Sequence, residues 1–128
     1  MTRKIPKIEW GRFFNELNRD RSGWQTSIQV LNNDSGAQML SVGLPFCGLT
    51  YESAGGHDVI ELAMGGDKEV HQTHNIIDPR VVCLLFKGTG PGGTLDIEDA
   101  SGTKILINFV QPMPALAKRG SEDIMTVR

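Results

Sequence analysis

The chain has 128 residues, of which 39% are hydrophobic and 22% are charged, and its formal net charge is −2. This size and composition predict one globular domain with a single core. The slightly acidic balance argues against a nucleic-acid-binding protein, since such proteins present a basic face. The longest apolar run, residues 81–86, is too short to cross a membrane as a helix.

The two cysteines indicate a reducing compartment. Cys47 and Cys83 lie in separate apolar segments, where a thiol packs as a small hydrophobic side chain. Their spacing fits neither a disulfide framework nor a zinc site. The N-terminal segment is positively charged but no apolar stretch follows it, so it is not typical of a signal peptide. We therefore expect a cytoplasmic protein that holds no metal and no cofactor.

Residues 8–20 carry a helical pattern. Apolar side chains recur there at positions i, i+3, i+4 and i+7, which places them on one face of a helix. These residues are Trp10, Phe13, Phe14 and Leu17. Gly23 suits the exit from this helix. A stripe that contains three aromatic residues is expected to pack against the rest of the fold rather than against a partner.

Segments with an alternating apolar pattern follow the helix, and alternation predicts half-buried strands. The predicted strands span residues 24–31, 38–53, 57–64, 69–77, 81–86, 94–98 and 103–110. The second of them contains Gly43-Leu44-Pro45. Because proline cannot donate a ladder hydrogen bond, we place a bend or a sheet edge there. In the fourth, Val70, His74 and Ile76 share the face that we expect to be buried.

Two turns between these strands have recognisable sequences. Asp78 and Pro79 suit the first two positions of a type I turn. We therefore predict a hairpin corner between the strands at 69–77 and 81–86. Asp99 and Gly102 suit a bulged hairpin turn between the last two strands.

The short connections between strands decide the fold class. They leave no room for crossover helices, so the sheet must be antiparallel. Free sheet edges invite aggregation, and closing or covering the sheet removes that risk. We predict a mainly β fold, a small antiparallel β-barrel or curved roll of six to seven strands with one N-terminal amphipathic helix at 8–20. Residues 1–110 form this domain, and residues 111–128 form a weakly ordered C-terminal tail.

The predicted helix opens with Ile5-Pro6-Lys7-Ile8-Glu9-Trp10-Gly11-Arg12-Phe13-Phe14 and is closed by Gly23-Trp24. Later come the segment His74-Asn75-Ile76-Ile77-Asp78-Pro79 and the last hairpin. Together these segments, within roughly residues 5–110, resemble an uncharacterised bacterial family of small proteins. The family is a domain of unknown function. The resemblance therefore implies a single domain of bacterial type and assigns no catalytic residue.

The histidines are weak candidates for a site. His71 and His74 lie three residues apart on one predicted strand, so they point to opposite faces and do not easily share a metal. We expect His74 to be inward and satisfied within the sheet, with a role in a binding site as the alternative. His57 beside Asp58 could orient a general base, but neighbours on a strand point apart. We predict no catalytic residue and no metal ligand.

Three functional hypotheses remain. We favour a non-catalytic module for protein interaction or self-association, because the pattern contains a complete fold and no reactive centre. The first alternative is a small-ligand-binding β-barrel with His74 or Tyr51 as the polar group in an apolar lumen. The second is a hydrolase-like enzyme in which His74 or His57 pairs with a carboxylate. The expected partner is a protein or a second copy of the chain, and neither nucleic acid nor a membrane is expected.

Overall fold

The computed structural model describes residues 2–65, 71–86 and 92–112, which form one α-helix and eight β-strands. The helix α1 spans Trp10–Arg21 and follows a 3-10 turn at Lys7–Glu9. The strands are β1 (Thr2–Lys4), β2 (Trp24–Asn32), β3 (Gly36–Ala54), β4 (His57–Gly65), β5 (His71–Ile77), β6 (Pro79–Leu85), β7 (Thr94–Asp99) and β8 (Lys104–Pro112).

The strands form one continuous antiparallel sheet in the order β1-β6-β7-β8-β2-β3-β4-β5. Within the described ranges, β1 and β5 lie at its two ends and do not pair with each other. The sheet is therefore a curved roll, which confirms the mainly β fold class with one N-terminal helix. The strand beyond the predicted six to seven is β1, whose three residues are too few to show an alternating pattern.

The long strand β3 bends the sheet by changing partners at the predicted position. Residues 36–45 pair with β2, whereas residues 46–54 pair with β4. Gly43 has a φ of 86°, a left-handed conformation that glycine adopts without strain. Pro45 is the last residue of β3 that pairs with β2. The two halves of β3 thus belong to the two halves of the roll.

The corner between β5 and β6 differs from the predicted hairpin. Among the described residues, β5 pairs with β4, and β6 pairs with β7 and β1. Asp78 has a φ of 53°, in the left-handed region that residues other than glycine seldom adopt and that Asp adopts more readily than most. Its N–H donates to the carbonyl of Asp58 at 2.9 Å and its carbonyl accepts from the N–H of Ala100 at 2.9 Å. The chain therefore turns from one half of the roll into the other.

The helix packs its apolar stripe into the roll. The four predicted residues are all buried, and Trp10 and Phe14 are each 1% exposed. Facing them are buried side chains from most of the strands, among them Phe46, Leu62, Ile97 and Ile107. Phe46 also meets Phe109 edge to face, with ring centroids 5.1 Å apart. The predicted role of the stripe as core is confirmed.

Asn18 attaches α1 to the second half of β3. Its side-chain Nδ2 donates to the carbonyl of Leu49 at 2.9 Å, and its Oδ1 accepts from the N–H of Leu49 at 2.8 Å. These are the two bonds that a neighbouring strand would make. The helix therefore satisfies the N–H and the carbonyl of Leu49 on the edge of β3 that β2 has left.

The predicted tail at 111–128 lies outside the described residues except for its first two positions, which end β8.

The double bond to Leu49 gives a stability prediction. We expect Asn18→Ala to lower the free energy of unfolding by about 1–3 kcal/mol, since it leaves a partly buried N–H and carbonyl without partners. Urea denaturation monitored by tryptophan fluorescence measures the change. Asn15→Ala is the matched control, because Asn15 is exposed on the same helix. An equal loss in both variants would mean that helix propensity rather than the Leu49 contact is being measured.

Candidate functional site

The first half of β3 has an open edge. Residues 36–45 pair with β2 on one side. On the other side no strand of the described ranges pairs with them, because β4 begins its pairing only at Phe46. Unpaired strand edges expose a row of N–H and carbonyl groups to which another strand can add. We call residues 36–45 of β3 the open edge.

The open edge is uncharged and partly apolar. The chain carries no Asp, Glu, Lys, Arg or His between Asp34 and Glu52. Val42 is 72% exposed and Met39 is 54% exposed, and Leu40 between them is 38% exposed. Natural edges are usually protected by charged side chains or by shortness. The terminal strand β1 follows that rule, since it has three residues, two of which are Arg3 and Lys4.

Two β-bulges shape the open edge. The neighbours Ile28 and Gln29 of β2 lie opposite Ser41 and Met39, so Leu40 has no partner on β2 and forms the first bulge. Thr26 and Ser27 lie opposite Leu44 and Val42 in the same way, so Gly43 forms the second bulge. Ser41 is on the inner face, since its partner Ile28 is fully buried and directly opposed residues share a face. The bulge at Leu40 puts Met39 and Val42 together on the outer face, although an odd separation would place them apart in a regular strand.

The structure places His74 on the inner face of β5, as predicted. It lies opposite Leu62, which is fully buried, and two residues before Ile76, which is 2% exposed. His74 itself is half-buried because β5 is the last strand of the sheet. Burial lowers the pKa of its imidazole. Among the described residues His74 has no carboxylate partner.

Tyr51, the other candidate, is held by internal contacts. Its ring meets Trp10 edge to face at a centroid distance of 5.3 Å. The ammonium group of Lys7 forms a hydrogen-bonded ion pair with the carboxylate of Asp58. This contact is the main cause that holds the pKa of the Asp58 carboxyl below its usual range, and hydrogen bonds from Ser53 and Tyr51 lower that pKa further. Tyr51 thus joins the aromatic core to a surface polar cluster, and its role in binding stays a prediction.

His57 comes near a carboxylate, but not its sequence neighbour. Its Nδ1 lies 3.7 Å from Oδ1 of Asp78, and the two side chains are 73% and 47% exposed. This distance is beyond hydrogen-bond reach, and the exposure gives neither group the desolvated setting that tunes a general base. The pair resembles a surface contact more than a catalytic one.

Other features of the described residues add no stronger site. No group of three or more His, Cys, Asp or Glu side chains that could hold a metal ion occurs among them. None of the helices described above has the length and apolar character to span a membrane. A shallow cleft of about 270 Å³ lies between the β2–β3 turn and Gly102 of the β7–β8 turn, which is small for a ligand site.

The sequence did not single out the open edge. The segment 38–53 was predicted as one strand with a bend, which is right, but alternation says nothing about which side of a strand is paired. The uncharged run between Asp34 and Glu52 is the signal that could have marked it.

The half-buried imidazole of His74 predicts a pH effect. Its pKa is lowered in the folded protein from an ordinary value of 6.5, so below that pH the unfolded chain binds more protons and stability falls. We expect the free energy of unfolding to drop between about pH 7.5 and about pH 5.5, and His74→Gln to reduce the drop. Urea denaturation at both pH values measures it, with His57→Gln at the exposed imidazole as control. If His74→Gln leaves the drop unchanged, burial of His74 is not its source.

Comparison with known proteins places the chain in a family. A model described as "Family of unknown function (DUF5335)" matches residues 1–118. An uncharacterised protein of Aquifex aeolicus is 25% identical over 113 residues, which cover 88% of this chain and 96% of that protein. No solved structure matches the chain. These findings confirm the resemblance to a bacterial family of unknown function. Because the family model spans α1 and all the strands of the roll, the chain belongs to the DUF5335 family.

Proposed function

We propose that the protein is a non-catalytic interaction module that binds an extended segment of a protein at the open edge of β3. The observation that carries the proposal is an uncharged strand edge, unpaired by any described strand, that exposes the side chains of Met39 and Val42. An added strand would obtain main-chain hydrogen bonds from the edge and apolar contacts from these side chains, which is the usual mode of β-strand addition.

The contrast within β3 supports this choice of surface. On the half-edge at residues 46–54, Asn18 of α1 hydrogen-bonds to the N–H and the carbonyl of Leu49. The half-edge at residues 36–45 has no such cover among the described residues. Within the described residues, the fold contacts one of the two half-edges that the bent strand creates and leaves the other without a pairing strand.

The geometry gives the two alternatives less support. A ligand-binding barrel requires space inside the roll, and large buried side chains such as Trp10, Phe14 and Phe46 occupy its interior. A hydrolase-like enzyme requires a histidine and a carboxylate in contact within a concave site, whereas His57 and Asp78 are 3.7 Å apart at the surface.

We also propose that the module works in the cytoplasm. Cys47 and Cys83 are both thiols, and Cys47 is exposed. Exposed thiols persist in reducing compartments and are oxidised outside them.

Peptide selection tests the proposed function. Ten-residue peptides from a random display library are selected on the immobilised protein and their affinities are measured by fluorescence polarisation. We expect Val42→Lys to weaken the selected peptides at least about tenfold, since strand addition would desolvate the new ammonium group. We also expect that methylating one backbone nitrogen of the peptide at a time abolishes binding only at every second position, because only alternate residues of a strand donate their N–H groups to the neighbouring edge.

Ile77→Lys is the matched control, because Ile77 is 52% exposed on the terminal strand β5. An equal loss of affinity in Ile77→Lys, or indifference to the position of N-methylation, would show that the peptides bind elsewhere or without strand addition.

A further inference from the structure

We infer that the segment bound at the open edge is the open edge of a second copy of this chain. Two copies pair antiparallel about a two-fold axis that passes between Leu40 and Ser41. This inference rests on the proposed function and names its partner. A two-fold axis makes each contact occur twice with the same residues, as in most homodimers.

Charge is the first argument for a second copy. A charge on a strand that pairs with a copy of itself can come close to a like charge of that copy, and like charges opposite one another are destabilising. Between Asp34 and Glu52 the chain has no charge to repel. The strand β1, with Arg3 and Lys4 among its three residues, would repel its own copy. The open edge is thus compatible with itself in a way that β1 is not.

The position of the apolar side chains is the second argument. With the axis between Leu40 and Ser41, Met39 lies directly opposite Val42 of the partner subunit, and the partner subunit's Met39 lies opposite Val42. Directly opposed residues in an antiparallel pair point to the same face with their Cβ atoms about 4.5–5.5 Å apart. Met39 and Val42 do share the outer face, because the extra residue Leu40 shifts the alternation by one and so makes residues three apart point the same way. Met39 is 54% exposed and Val42 is 72% exposed, and the two-fold axis makes the contact that covers them occur twice in the dimer.

The bulges are the third argument. A bulge interrupts the regular ladder, so a flat strand cannot follow the open edge along its full length. A copy of the same edge carries the same bulges at Leu40 and Gly43. With the axis between Leu40 and Ser41, the bulge at Leu40 lies beside the same bulge of the partner subunit, so both copies depart from a regular strand at the same place.

Site-directed crosslinking tests the register. In a background of Cys47→Ser and Cys83→Ala, two proteins are made, one with Met39→Cys and one with Val42→Cys. They are mixed, oxidised mildly and run on a non-reducing gel. We expect the mixture to give about tenfold more covalent dimer than either protein alone, because a disulfide needs Cβ atoms about 3.5–4.5 Å apart. In this register only the Met39→Cys and Val42→Cys positions of different copies meet.

The two single-cysteine proteins are the internal controls. Covalent dimer at equal yield in all three samples would mean random collision and would overturn the register. Sedimentation velocity of the wild-type protein and of Val42→Lys gives the oligomeric state independently. We expect a dimer that the lysine variant converts to monomer, while Ile77→Lys remains dimeric.

The outcomes separate this inference from the proposed function. A wild-type protein that stays monomeric, while its selected peptides still depend on Val42, overturns the second copy and leaves the interaction module standing. A dimer that survives Val42→Lys, together with peptides indifferent to Val42, overturns both.

Discussion

The structure depends on one constraint, which is that β3 uses each of its two edges for only half of its length. A strand in the middle of a sheet normally pairs on both sides throughout. Here β2 takes residues 36–45 and β4 takes residues 46–54, so the sheet bends at Pro45 and encloses a core. The same exchange of partners leaves two half-edges that none of the described strands pairs with. The core and the open edge are therefore consequences of one bend.

The N-terminal segment holds the bent sheet together across its open side. The N–H of Ile5 donates to the carbonyl of Val82 on β6 at 2.8 Å, and the carbonyl of Ile5 accepts from Nε1 of Trp10 at 3.0 Å. Lys7 then ion-pairs with Asp58 on β4. A surface ion pair adds little stability, so most of the stability of this connection comes from the burial of Ile5 and Trp10, each 1% exposed.

The sequence predicted the helix and the strands well, because their apolar residues recur at a fixed local spacing. The stripe of Trp10, Phe13 and Phe14 indicated both the helix and its buried face. The alternation along 69–77 placed His74 inward, and the structure puts it there. A hydrophobic period reports which side of an element is buried, and burial is a property that each residue carries in its own chemistry.

What the sequence could not predict depends on partners remote in the chain. The strand β1 exists because β6 accepts its three residues. The corner at Asp78 is not a hairpin, because β5 and β6 pair with different strands. The hydrogen bonds of Asn18 are not marked in the helical pattern, since their partner Leu49 lies 31 residues along the chain. The open edge has the same origin, since the alternation of apolar residues reports which face of a strand is buried and not which side of it is paired.

The lack of charge on the open edge has a physical consequence for the folded protein. An exposed, uncharged strand is an aggregation hazard, and most proteins suppress it with lysine, proline or extreme shortness. This chain uses bulges at Leu40 and Gly43 instead. A charged side chain that an incoming strand covers loses its water, which weakens binding of a specific strand as well as a wrong one. Bulges reject flat strands and still admit a strand of matching shape, so an edge protected in this way remains available for selective pairing.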